Sequence, residues 1–175
     1  MQVGLIGAGN MARGLAIGWG RPVASGHGIG IAAHFTFGGY AAHAMQVAVD
    51  EGGEFRVERC VCAVDVGRPI NPLGIEAQMM GGTIDGLSTA RNLEITIEGG
   101  RVVQNNLDGY PLLRMRDAPD VEVIIVPSDK QPSGAGEIGI PTAAPALTNA
   151  IFAATGRRIR SLPIRSAPAR ERAAS

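Results

Sequence analysis

A carboxylate set among glycines is the most suggestive piece of chemistry in the chain: Ser133-Gly134-Ala135-Gly136-Glu137-Ile138-Gly139-Ile140-Pro141. Gly134, Gly136 and Gly139 would let the backbone pass close to a bulky ligand without Cβ contacts. A carboxylate one hydrogen bond from a reacting group can take or return a proton. On residue types alone, however, a structural turn is the stronger reading of this loop. A second pattern lies near the start, where the apolar run Gln2-Val3-Gly4-Leu5-Ile6 leads into Gly7-Ala8-Gly9-Asn10-Met11-Ala12. That G-x-G-x-x-A spacing suits a tight turn that brings backbone N–H groups of a helix N-terminus to a phosphate. The parts that should follow do not: the chain continues Gly18-Trp19-Gly20-Arg21-Pro22, and its first acidic residue is Asp50.

Other conspicuous residues read more plainly. His27, His34 and His43 have neither paired carboxylates nor ligand spacing, so they are expected to be strand or turn residues and no protein metal site is expected. Cys60 and Cys62 are expected on opposite faces of a strand, as two small buried apolar residues without a mutual disulfide. Met79 and Met80 read as packing. Asp65 and Arg68 flank a Gly- and Pro-containing loop and are expected to fix its shape by hydrogen bonds.

The elements that must position these residues can be traced from pattern. An apolar extended stretch from Gly28 to Val49, a turn at Asp50-Glu51-Gly52-Gly53 and a strand from Phe55 to Val64 predict a hairpin. Apolar residues Leu73, Ala77, Met80, Ile84 and Leu87 recur at helical spacing, with Asn71 as cap and Pro72 in the first turn, predicting a helix over 72–90. A second hairpin is expected from Leu93–Ile97 and Arg101–Gln104 around Gly99-Gly100, then a strand over Val121–Val126. A helix over Ala143–Thr155 is stopped by Gly156, with Arg157 and Arg158 at its negative end. The fold class predicted is α+β: a mainly antiparallel sheet built from hairpins, with two packed helices. Three parts are expected: an incomplete Rossmann-like start over 1–27, a main domain over 28–164 and a disordered tail over 165–175.

Composition narrows the partners. Sixteen basic and sixteen acidic side chains cancel, so no long-range field favours nucleic acid or an anionic membrane. No apolar run is long enough for a membrane span and no secretory signal opens the chain, which gives the cytoplasm as the expected compartment. With 45% hydrophobic residues one core can form, while 25 glycines and 4% aromatics suit a chain that wraps a ligand or a larger partner.

Several stretches, in order, resemble the carboxy-terminal part of the molybdopterin-binding subunit of the xanthine oxidase and aldehyde oxidase family, nearest the isoquinoline 1-oxidoreductase beta-subunit type. They are Ala63-Val64-Asp65-Val66-Gly67-Arg68 with Asn71-Pro72; Ala77-Gln78-Met79-Met80-Gly81-Gly82 with Gly86-Leu87-Ser88; Gly136-Glu137 with Ile138-Gly139; and Ala144-Pro145-Ala146 with Asn149 through Gly156. Shorter matches, among them Ala33-His34-Phe35-Thr36-Phe37-Gly38 and Tyr110 with Leu113-Arg114-Met115, fill the gaps. The resemblance implies hydroxylation of an N-heterocycle or aldehyde with oxygen from water, two electrons passing to molybdenum. It implies Glu137 as the acid–base residue beside the metal, Gln78 against the pterin or phosphate region, and Gly136 at the cofactor. The implied cofactor is molybdopterin cytosine dinucleotide, shared with segments this chain lacks.

The implied partners are the missing amino-terminal part of the molybdenum subunit, an iron–sulfur electron-transfer subunit and a small-molecule substrate. For the full-length family the resemblance also allows the periplasm. Ile138 stands where the family commonly has proline, and family subunits are several times longer. The first 20 residues resemble instead the start of a pyrroline-5-carboxylate reductase-like NADP-binding unit, so the chain reads as a fusion of two partial motifs. Alone it is expected to be inactive. Two other readings stay open: a non-catalytic folding remnant or subunit of a larger assembly, and an NADP-dependent reductase.

Overall fold

The computed structural model describes residues 24–164; the glycine pattern at 7–12, most of the expected 1–27 unit and the 165–175 tail lie outside them. The strands are β1 (His27–Thr36), β2 (Gly39–Val49), β3 (Phe55–Asp65), β4 (Ile97–Glu98), β5 (Arg101–Val102) and β6 (Val121–Ile125). The helices are α1 (Pro72–Asn92) and α2 (Ala143–Thr155), with a 3-10 turn at Met115–Asp117. The main sheet has the order β1-β2-β3-β6, antiparallel except for the parallel pair β3/β6, and β4 and β5 form a separate ribbon. This is the α+β arrangement expected, with one parallel pair because α1 carries the chain from one end of β3 back to the other before β6 begins.

The first hairpin departs from expectation. The stretch 28–49 is two strands that reverse at Phe37-Gly38, both with positive φ (52° and 79°). Positive φ at both residues of a two-residue turn follows the twist of the strands it joins. A phenylalanine in the left-handed region costs about 1–2 kcal/mol, so its residue type gives no warning of a turn. The reversal at Asp50 occurs as expected: Glu54 N donates to Asp50 Oδ1 at 2.9 Å, and Gly53 has φ 85°. The second hairpin contracts to two-residue strands around Gly99-Gly100, prolonged by Val103 N donating to Thr96 O at 2.9 Å.

Both helices end where their signals lie. Asn71 Oδ1 accepts from Gly74 N at 3.1 Å at the start of α1, and Gly156 closes α2 with φ 79°. Helix α2 lies on β1 and β2, and α1 on β6 and β3. The core between them contains Met45, Cys60, Leu87, Leu147 and Ile151, continuing into Val64, Met79 and Ile138. No described helix is long and apolar enough to cross a membrane.

Cys60 and Cys62 share the helix-covered face, contrary to expectation, because strand side chains alternate and residues two apart point the same way. Cys60 packs with Met45 and Leu147, Cys62 with Val64 and Met79, while Val61 between them joins Ala42, Ala44 and Ala63 on the other face. Both thiols are free and buried, and burial pushes that of Cys62 up to about 12. They act as small core residues.

Candidate functional site

The motif residues gather at one end of the sheet, where β3 and β6 finish and α1 begins. The loop after β3 is tied at several points to the loop after β6. Arg68 N donates to Lys130 O (2.9 Å) and Ser133 N to Val66 O (2.8 Å), while within the first loop Gly67 N donates to Asp65 Oδ1 (3.0 Å). Lys130 Nζ also lies 3.6 Å from Asp65 Oδ2. Asp65 thus shapes the loop through its side chain, and Arg68 does so through its backbone. Gly67 is required twice over: its φ is +75°, and a Cβ there would overlap the Gln131 carbonyl. Gly67→Ala is expected to cost about 3 kcal/mol. Calorimetry should show the melting temperature falling by roughly 6–12 °C in a chain of this size.

Between these loops and α1 lies a hollow of about 340 Å³, lined among others by Val66, Arg68, Asn71, Gln78, Ser133 and Gly136. Gln78 is exposed on the second turn of α1, and its Nε2 is 4.0 Å from where a Cβ on Gly136 would stand. Two residues remote in sequence are thereby brought together. Glu137 follows Gly136 in the chain, exposed, and its backbone carbonyl accepts from Ile140 N at 3.0 Å. The loop is anchored from beneath by Ile138, which is fully buried among Val64, Val66, Ile75 and Met79. The apolar side chain of Ile138 thus holds by packing a loop that a proline would stiffen through its ring.

The hollow sets a few hydrogen-bonding groups among apolar side chains. Ser133 Oγ is buried without a hydrogen-bond partner, a costly state unless something hydrogen-bonds to it. The Gln78 amide offers a donor and an acceptor, and Gly136 leaves the space a side chain would fill. These residues fit one wall of a site for a large, hydrogen-bonding cofactor. A larger hollow, about 420 Å³, lies at the opposite end of β3 between Phe55, Arg91 and Pro119. Its lining includes none of Gln78, Gly136 and Glu137, Arg91 stacks over Phe55, and Arg56 and Arg116 each lie beside a carboxylate.

The remaining candidates separate clearly. Among the described residues no group of three or more His, Cys, Asp or Glu could hold a metal ion. His27 lies 3.3 Å from Glu58, and His34 is exposed on β1. Met79 is core as expected, whereas Met80 is 42% exposed. What the sequence reading missed is His43: fully buried on β2, it hydrogen-bonds Thr142 Oγ1 through Nδ1 (2.6 Å) and Thr83 Oγ1 through Nε2 (2.7 Å). The available signal was a lone polar residue in the small apolar run Ala41-Ala42-His43-Ala44-Met45.

Residues 23–119 match the family model of the molybdopterin cofactor-binding domain, a range that includes Gln78 and stops short of Gly136 and Glu137. The chain is 40% identical over 111 residues to the beta subunit of isoquinoline 1-oxidoreductase from Brevundimonas diminuta, covering 63% of this chain and 14% of that protein. It is 36% identical over 137 residues to a nicotinate dehydrogenase subunit from Pseudomonas putida, covering 75% and 12% respectively. The crystal structure of quinoline 2-oxidoreductase from Pseudomonas putida 86 superposes with a TM-score of 0.64 at 25% identity, over 72% of this chain and 17% of that one. The chain therefore spans only 12–16% of the first curated relatives it matches. A family model covering more than half of the chain, together with a matching fold, shows that the chain belongs to the molybdopterin cofactor-binding domain family.

Proposed function

We propose that this chain supplies one wall of the cofactor and reaction site of a molybdenum hydroxylase acting on an N-heterocycle or an aldehyde. The observation that carries the reading is the convergence of Gln78, Ser133 and Gly136 on one hollow, with Glu137 the next residue in the chain. Gln78 would hold the pterin or phosphate region through its amide, and Gly136 would give the ligand access to the backbone. When bound, molybdopterin in its cytosine dinucleotide form supplies the molybdenum that accepts two electrons from the substrate carbon. Glu137 would accept, at a carboxylate oxygen, the proton released as a water-derived oxygen attacks that carbon.

Electrons must leave through a partner. The chain's two cysteines are both buried in the core, so an iron–sulfur subunit is the implied acceptor. The open hollow and exposed Glu137 leave most of the enclosure to other segments of the molybdenum subunit. Ile70 and Leu73 beside the hollow, 75% and 78% exposed, suit a surface awaiting such a neighbour. They equally suit a folding remnant with no catalytic part.

The test is to purify the chain from a host that makes the cofactor, with and without the rest of a homologous molybdenum subunit as a separate polypeptide. Molybdenum, pterin and dye reduction are then measured. Little metal and no turnover are expected from the chain alone. In the reconstituted pair, Glu137→Gln should keep the metal and lose about 10²–10⁴-fold in kcat. A Glu137→Gln pair that retains its turnover would remove Glu137 from the reaction, and no turnover from any pair would favour the remnant.

A further inference from the structure

We propose that His43 is a positioning residue for the site, tying together from behind the two segments that carry Gln78 and Glu137. The inference rests on the reading of the site given above. His43 lies on β2, Thr83 on α1 one turn after Met79, and Thr142 immediately before α2, five residues beyond Glu137. All three side chains are buried at 1% exposure or less.

The direction of the hydrogen bonds follows from the donors. Thr83 Oγ1 donates to Met79 O (2.7 Å), so it accepts from His43 Nε2–H. That leaves Nδ1 as the acceptor for the Thr142 hydroxyl. Burial lowers the His43 pKa to about 4, which keeps the ring neutral with one donor and one acceptor, the two functions its partners use. Thr142 is also diverted. It occupies the cap position of α2, where a threonine hydroxyl ordinarily accepts from the first turn of its own helix, yet it makes no cap bond and turns to His43 instead.

The segments held this way have no slack. A Cβ on Gly86 would lie 2.8 Å from Ile140 O and 2.7 Å from Ala143 Cβ, and one on Gly139 would lie 3.3 Å from Met79 Sδ. From Thr142 the chain runs back through two consecutive turns, Ala143 N to Ile140 O (3.2 Å) and Ile140 N to Glu137 O (3.0 Å). From Thr83 one helical bond leads to the carbonyl of Met79, next to Gln78. A change at either end of the imidazole therefore reaches one of the two site residues within a turn. Glycine contacts let the walls approach, and His43 fixes where they stop.

Hydrogen exchange on the cofactor-free 175-residue chain tests this independently of cofactor binding, so a negative result would leave the proposed function standing. Thr142→Val keeps the shape and removes the donor. The amides of Ile140 and Ala143 should then exchange about tenfold faster or more, while Ala44 and Cys62 in the sheet keep their protection. Thr142→Ser should restore the slow exchange, and the ¹⁵N shifts of His43 should report the Nε2–H tautomer in wild type and Thr142→Ser. If Thr142→Val does not fold, His43→Gln, whose amide can reach Thr83 but not Thr142 as well, should show the same local loosening. Unchanged exchange at Ile140, a uniform rise across sheet and helices, or failure of both variants to fold would overturn the proposal, because each would make the network either dispensable or a support of the whole fold.

Discussion

Gly30→Ala is expected to be among the most destabilising single substitutions in the chain, at about 4 kcal/mol. A Cβ on Gly30 would overlap Ala150 N and Ala146 O and lie 2.7 Å from the Asn149 carbonyl carbon, all backbone atoms of α2. Gly28 meets the same helix one turn on, with a Cβ 2.5 Å from Ala154 N. Neither contact involves a flexible side chain that could swing aside. The helix would have to lift from β1, loosening Leu147 and Ile151 against Met45, and Asn149 Nδ2 would lose Ile31 O, now at 3.0 Å. Stabilities of single domains lie at about 5–15 kcal/mol, so Gly28→Ala with Gly30→Ala should leave little folded protein. Urea titration followed by circular dichroism measures this. Gly81→Ala is the control, since nothing lies within 4 Å of a Cβ there and the position is helical and exposed; it should stabilise by roughly 0.5–1 kcal/mol. A Gly30→Ala protein within 1 kcal/mol of wild type, on the scale of ordinary surface changes, would mean that α2 does not seat on β1 in this way.

The glycines that seat α2 show what a sequence conveys and what it withholds. Gly156, Asn71 and Asp50 act on their immediate neighbours, and the elements they bound were readable because capping and turn formation are local. Gly28 and Gly30 act on a helix more than a hundred residues later, and nothing near them in sequence says so. The Phe37 turn was hidden for another reason: an aromatic in the left-handed region contradicts its own propensity, so only the following glycines hinted at a reversal. Pairing of β6 with β3 is likewise decided by where α1 returns the chain. The cysteine pair could have been placed on one face from strand periodicity alone.

The site divides in the same way. Glu137 was picked out because glycines surround it and because ordered motifs flank it, both properties of the linear chain. That Gly136 stands beside Gln78, and that Ser133 Oγ is buried without a partner near Gly39, are facts of tertiary packing. His43 is the clearest case, since its partners lie 40 and 99 residues away in sequence. Histidine spacing speaks to metal ligation, and it says nothing of a buried hydrogen-bonded ring.

That buried ring should make the fold sensitive to acid before its carboxylates do. In the folded chain burial lowers the His43 pKa to about 4, against an ordinary value of 6.5 when unfolded. The unfolded state therefore binds the proton more readily. Stability from this group is complete above pH 6.5 and is lost as the pH falls toward 4, at up to about 1.4 kcal/mol per pH unit and roughly 3 kcal/mol in all. The neighbouring titratable group is Cys62, paired across the strands with His43, and burial keeps its thiol protonated throughout this range. No ion pair among the described residues includes His43, so salt should change the effect little. Urea unfolding at pH 7.0, 5.5 and 4.0 on wild type and His43→Gln isolates the term, because surface carboxylates titrate alike in both. The variant should be less stable at pH 7 and lose less on acidification, so the two curves converge as the pH falls. Parallel curves would show that His43 is protonated as easily inside the fold as outside it. Burial argues otherwise: an imidazolium there would lie at 0% exposure between the Thr83 and Thr142 hydroxyls, in no ion pair among the described residues.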